Sequence, residues 1–213
     1  MEIKRETIIN KALELLNLEG IEGLSMRKLA TALNMQAPSL YWYFANKQAL
    51  IDGLADSMIE RVAINIDSKS SWQTQIRQIA GELRDALSSH RDGARVFAGT
   101  YIVSDNVLRT NEALMQALLT AGVNQETAVD YSFTVIYYIL GLVMEEQGLS
   151  PQNGINLISR QTAFSELAKD KYPINQQAQN TIFTENFTRR FKAGLDLIIT
   201  GIEKYAETQV VNN

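Results

Sequence analysis

LSMRKLATALNMQAPSLYWYFANKQAL, residues 24–50, is the stretch on which the reading of this chain turns. Ser25 is suited to cap a helix whose Met26, Leu29, Ala30 and Leu33 recur at the spacing of one buried face. Asn34-Met35-Gln36 makes a turn, with Asn34 tolerant of left-handed backbone. Ala37-Pro38 opens a second helix over residues 37–43, because a proline in the first turn gives up no hydrogen bond. Leu40 and Phe44 belong to its inner side. Ser39, Tyr41, Trp42 and Tyr43, next to Lys47, make an aromatic, hydroxyl-bearing surface too large for so short a segment to bury. Such a surface suits a helix lying in a DNA groove. A plainer reading also stands, in which Trp42 packs inside and Arg27 and Lys28 are only a solvated edge.

Upstream, residues 6–18 carry an apolar helical stripe that Gly20 and Gly23 bring to a stop. Downstream, Asn46 caps a fourth helix whose apolar face runs from Leu50 through Val62. Three helices therefore form a head over 1–46, 47–66 is a connecting helix, and 67–213 is a larger body. The body reads as helices over 74–88, 93–99, 105–121, 125–147, 157–167 and 181–207. Breaks fall at 148–156 and, around Pro173, at 170–179. Period-two alternation long enough for a strand is missing, so the fold class is all-α: a helix-turn-helix head joined to a helical dimerisation and ligand-binding domain.

The composition narrows the function. The 213 residues include no Cys and one His, which removes disulfides, thiolate nucleophiles and most metal-binding sets. With no glycine-rich phosphate loop either, no catalytic constellation assembles, and neither cofactor nor metal is expected. The N-terminus lacks a signal-peptide pattern and no apolar run reaches spanning length, which points to the cytoplasm and away from membranes. Residues 1–50 hold six Lys or Arg against five Glu, while the rest holds fourteen basic against nineteen acidic groups. A near-neutral to basic head thus sits on an acidic body, and local sign governs docking on phosphate.

YSFTVIYYILGLVM, residues 131–144, is too apolar for a helix with one wet side. The last helix stacks Phe183, Phe187, Phe191, Leu195, Ile198, Ile199 and Ile202 at spacings of three and four. Either these helices fill a monomer core, or they form a four-helix interface with a second copy. Tyr131, Val135, Tyr138, Leu142, Phe187, Phe191, Leu195, Ile198 and Ile202 would line that interface. Two heads reading a palindrome bind far better than one, which favours the homodimer.

The combination of RKLA, a proline-initiated helix, LYWYF and NKQAL resembles the TetR family of bacterial repressors, and within it the tetracycline-repressor branch. RDGARVFAGT (91–100) and YYILGLVMEEQ (137–147) are similar to two further blocks of that branch. The resemblance implies an all-helical homodimeric repressor that holds a palindromic operator until a small-molecule effector shifts the heads. It implies operator contacts from Ser25, Arg27, Lys28, Gln36, Ala37, Pro38, Ser39, Tyr41, Trp42, Tyr43 and Lys47. Arg27 would reach a base edge, Lys47 a phosphate. Ala37 replaces a glutamine of the branch, so the preferred operator should differ.

At the effector site the likeness fails. Phe97 stands where the branch has a histidine that binds the drug's magnesium, Ala63 near a second histidine, and Tyr101 and Ile102 in place of an arginine-proline pair. Ile79 and Leu83 replace a polar and aromatic pair; only Glu145 matches. Together with Leu108, Met115, Phe133 and Tyr137, the residues Ile79, Leu83, Phe97, Tyr101 and Ile102 would instead line an apolar cavity for a hydrophobic or aromatic effector. The alternative is that they simply fill the core. A helical protein-interaction module whose head no longer reads DNA is the competing function.

Overall fold

The computed structural model describes residues 4–100, 103–149, 155–184 and 186–211, and among them the regular structure is entirely helical. The head contains α1 (Arg5–Gly23), α2 (Met26–Ala32) and α3 (Ala37–Tyr41). Next come α4 (Lys47–Met58), α5 (Trp72–Ser88), α6 (Gly93–Ala98), α7 (Asp105–Thr120) and α8 (Gln125–Gly148). The series ends with α9 (Leu157–Ala168), α10 (Pro173–Ile182) and α11 (Phe187–Val211).

Local chemistry sets most helix starts. Ser71, Ser104, Asn124 and Asn156 each accept a backbone N–H two or three residues into the helix they precede. Each such cap is worth about 1 kcal/mol. α1 is interrupted at Gly20, whose φ of +75° is open to glycine, and resumes for its last turn.

In the body, α5, α7 and α8 pack on one another, α6 leans on α4, α5 and α8, and α11 covers a further side of α8. α8 is 24 residues long with a mean hydropathy of 1.4 over an 18-residue window, enough by length and composition to cross a membrane. This corrects the expectation that no apolar run reaches spanning length. Packing accounts for part of that character, because Ala128, Val135, Ile139 and Val143 are fully or nearly fully buried by their neighbours while Val129, Phe133 and Tyr137 stay exposed. One continuous cluster of buried side chains runs from Ile8 and Leu16 in the head, through Leu54 and Ile59, to Ile139 and Leu195 in the body.

Three elements differ from the sequence reading. α4 stops at Met58, although Ile59 and Val62 remain buried beyond it. The guanidinium of Arg109 on α7 closes this end, donating to the carbonyls of Ile59 (3.2 Å), Glu60 (2.8 Å) and Val62 (2.9 Å). Ile59 O also accepts Val62 N–H at 3.0 Å, so the guanidinium matters most for the Glu60 and Val62 carbonyls where the helix unwinds. Asn106 adds a bond to Asp56 O at 3.3 Å and accepts from Arg109 at 2.8 Å. Secondly, the segment around Pro173 is helix α10, with the proline in its first turn as initiator, not breaker. α10 folds back on α9 through an edge-on Phe164–Phe183 ring pair at 5.2 Å and a Gln161–Asn180 hydrogen bond at 3.0 Å. Thirdly, the terminal helix consequently begins at Phe187.

Arg109→Met should therefore destabilise the protein by about 2–4 kcal/mol, since three carbonyls lose a charged donor at once. Urea denaturation measures this; a loss under ~1 kcal/mol would mean that water replaces the guanidinium at no cost.

Candidate nucleic-acid interface and ligand cavity

Ser25 caps α2 through Lys28 N at 3.3 Å, leaving Arg27 and Lys28 exposed in the first turn. Asn34 takes the left-handed backbone, φ 52°, that swings the chain from α2 into α3. α3 is held from beneath by Leu40 and Phe44, at 0% and 1% exposure, and the Arg5 guanidinium lies over the Phe44 ring at 4.7 Å. From this anchored helix Trp42 projects at 90% exposure and Tyr41 at 50%. An indole so placed forgoes at least ~2 kcal/mol of apolar burial. The packing reading of Trp42 therefore does not describe this chain. Gln36, Pro38 and Ser39 are exposed around it, Ala37 is half-buried, and Tyr43 is half-buried against the core.

The cations of this face are not equivalent. Arg27 has no ion pair among the described residues. Lys47 reaches only the carbonyl of Ile21, at 3.4 Å. Lys28 pairs with Glu19 across the shallow groove between α1 and α2, a groove that Ser25, Arg27 and Thr31 also line. Glu19 is a residue that sequence reasoning did not connect to the interface, because the pairing spans the turn between two helices.

A cavity of about 300 Å³ lies between α6, α7 and α8. Phe97 and Ala98 of α6 and the adjacent Thr100 form one wall, and Val107 and Asn111 of α7 a second. Phe133, Ile136, Tyr137 and Leu140 of α8 form the third. The structure thus brings Phe97, Phe133 and Tyr137 together, and adds Asn111 and Thr100, which the sequence reading passed over. Ile79 and Leu83 do not reach the cavity, because α5 packs on both α7 and α8 and spends them in the core at 0% and 1% exposure. Leu108 is 55% exposed, one residue and so roughly 100° around the helix from Val107. Met115 is half-buried outside the wall, and Tyr101 and Ile102 lie outside the described residues. The described wall contains no carboxylate or imidazole. Glu145 is exposed on α8 and is not part of that wall, so the donor set does not fit a metal chelate.

Most of the residues assigned to a dimer face are used where α8 packs on α11 within one chain. Val135, Leu195 and Ile202 are buried in the common core at no more than 4% exposure, and Phe187, equally buried, lies outside that cluster beneath the Arg190 guanidinium. Tyr131 meets Tyr205 edge-on at 5.6 Å, and Tyr138 stacks on Phe191 at 6.3 Å. The Tyr138 hydroxyl donates to the carbonyls of Arg190 (2.8 Å) and Phe191 (3.0 Å), and burial raises its pKa above the ordinary phenol value. Leu142 and Ile198 are half-buried. The apolar side chains left facing outward on these helices are instead Val129, Phe133 and Tyr137 on α8 and Leu197 on α11.

Head and body meet where α1 touches the loop between α5 and α6. Asp92 accepts Ile21 N–H at 2.9 Å, Arg91 donates to Leu18 O at 2.8 Å, and Arg95 pairs with Glu22 at 2.8 Å. Gln147 of α8 holds the same loop through Leu87 O at 2.9 Å and His90 O at 2.7 Å. The His90 ring is half-buried, and burial lowers its pKa.

A helix-turn-helix head hydrogen-bonded to a helical body with a ligand-sized cavity defines a class, the ligand-responsive DNA-binding regulators. Residues 8–54 match the family of bacterial regulatory proteins called the tetR family, and residues 67–206 the tetracyclin repressor-like C-terminal domain. The chain belongs to the TetR family of transcriptional regulators. It is 33% identical to the class C tetracycline repressor protein of Escherichia coli over 205 residues, covering 95% of this chain and 92% of that one. A possible TetR family transcriptional regulator from Streptomyces coelicolor A3(2) superposes with a TM-score of 0.86 at 35% identity, over 95% of this chain and all of that one. The TetR family protein ActR of Streptomyces coelicolor, solved in complex with actinorhodin, gives a TM-score of 0.86 at 25% identity, over 97% and 99% of the two chains.

Proposed function

We propose that this chain is a homodimeric repressor that binds a palindromic operator through α3 and releases it when a small aromatic compound enters the α6–α8 cavity. The observation that carries this reading is Trp42, almost fully exposed on a short helix fixed from beneath by Leu40 and Phe44. Residues 1–46 are the reading head and 47–66 the connector. In the body, 67–213, the outward Val129 of α8 and Leu197 of α11 mark the dimer face, while Phe133 and Tyr137 border the cavity. A role on operator DNA supports the cytoplasm as its location.

Coupling has a physical route. α7 contributes Val107 and Asn111 to the cavity and, on the same helix, Asn106 and Arg109 to the end of α4. α6 contributes Phe97 and also packs on α4. A ligand that fits the cavity better when α4 is displaced lowers the population of the DNA-competent arrangement, whereas one that binds both arrangements equally changes nothing.

Selecting bound duplexes from a random pool, then screening compounds for release, tests the function. A palindromic consensus with steep salt dependence is expected. Failure to bind any duplex, including its own promoter region, would overturn the proposal.

Glu19 supplies a sharper expectation. In the free head it occupies Lys28, so a phosphate must displace it. Exposed pairs are worth at most about 1 kcal/mol, and the carboxylate also repels the backbone. Glu19→Gln should tighten operator binding several-fold and steepen the salt dependence by about one ion per head. Unchanged affinity and slope in a salt titration would show that Lys28 stays off the phosphates.

A further inference from the structure

The geometry points to Asn111 as the polar anchor of the cavity, and to a ligand that is flat, uncharged and aromatic with an N–H or O–H donor next to a carbonyl. The inference rests on the effector reading above and specifies its chemistry.

Thr100 and Asn111, with the hydroxyl of Tyr137, are the polar side chains of the described cavity wall, and Asn111 alone of the three carries a donor and an acceptor on one rigid plane. Thr100 is committed as a donor, its hydroxyl bonding Phe97 O at 2.7 Å, so it can only accept from a ligand. The Asn111 carboxamide is half-buried and makes no hydrogen bond among the described residues. A primary amide offers a carbonyl acceptor and two N–H donors. If a ligand strips its water and leaves it unpaired, the cost is about 1–3 kcal/mol. A ligand with donor and acceptor side by side removes that cost through two parallel hydrogen bonds.

The remaining wall selects the rest of the molecule. Phe133 and Tyr137, with ring centroids 5.7 Å apart and planes tilted by 31°, stand with Phe97 around the space. Such rings favour a flat aromatic partner. The described wall holds no ionised side chain, so a charged ligand would lose its hydration without a counter-charge. A volume near 300 Å³ is at the small end for ligand pockets and suits about two or three fused rings.

Three probes separate these requirements on the full-length protein: quinolin-2-one, a neutral lactam; N-methylquinolin-2-one, which lacks the donor; and quinoline-2-carboxylate, which is charged. Calorimetric titration should show the lactam binding at least ~10-fold more tightly than its N-methyl form, with the carboxylate weakest. Asn111→Leu should erase the lactam preference while changing N-methylquinolin-2-one binding less than about twofold. Asn111→Asp, of the same shape, should weaken both neutral probes, because a carboxylate can accept the lactam N–H but has no donor for the carbonyl. Equal binding of lactam and N-methyl lactam, stronger binding of the carboxylate, a preference that survives Asn111→Leu, or no binding by any probe would each overturn the inference. Operator binding is measured separately: its absence would sink the repressor reading and leave the lactam result standing.

Discussion

Gly93→Ala is expected to be the most damaging small substitution in the protein, costing about 3–5 kcal/mol of stability. Gly93 is buried at the start of α6, and a Cβ there would lie 2.2 Å from Leu87 O and 3.1 Å from Leu87 C. The obstruction is backbone, so no side-chain rotation relieves it. Moving α6 away would disturb the bond from Ile21 to Asp92 and the grip of Gln147 on Leu87 and His90. Against a total stability of roughly 5–15 kcal/mol, such a loss leaves a marginal fold. Thermal unfolding should show the midpoint falling by well over five degrees, taken as an order-of-magnitude figure for a chain of this size. A shift of only one or two degrees would mean that α6 slides freely past α5, and the joint between head and body would then need another description.

Trp42→Ala should have the opposite profile, with a large effect on function and almost none on the fold. The side chain is 90% exposed, so its removal should change stability by no more than about 0.5 kcal/mol. Losing a large apolar side chain packed at a DNA surface costs about 1.5–3 kcal/mol per site. Two-fold symmetry applies the loss twice, so operator affinity should fall by roughly 100-fold to more than 1,000-fold. A salt-controlled mobility-shift titration measures it. Wild-type affinity would remove α3 from the interface, and a marked drop in thermal midpoint would mean that Trp42 packs against a second copy of the chain.

These two residues differ in how visible they are from sequence. Trp42 stands out because LYWYF carries more aromatic surface than a short amphipathic helix can bury. Gly93 does not stand out, since nothing local to DGAR shows that the carbonyl of Leu87 lies against it. The same division runs through the cavity. Phe97, Phe133 and Tyr137 were identifiable as aromatic side chains on helices, but Ile79 and Leu83 have the same apolar character and are spent in the core. Asn111 gave no local signal, being one amide on an amphipathic helix. The segment around Pro173 misled for a chemical reason, because proline ends one helix and begins another with equal ease.

By itself, then, the sequence determined most of the helices and their order, the Ser25 and Asn46 caps, the helix-turn-helix head and the aromatic surface of α3. These follow from spacing and from hydrogen bonds made within a few residues. Tertiary structure alone decided that Arg109 closes the end of α4 and that Lys28 is held by Glu19. It also decided that the apolar seam of α8 and α11 is used within one chain, leaving Val129, Phe133, Tyr137 and Leu197 outside. Such choices depend on which faces meet across many residues of chain, and one apolar stripe satisfies its periodicity equally well against a helix of its own chain or of another.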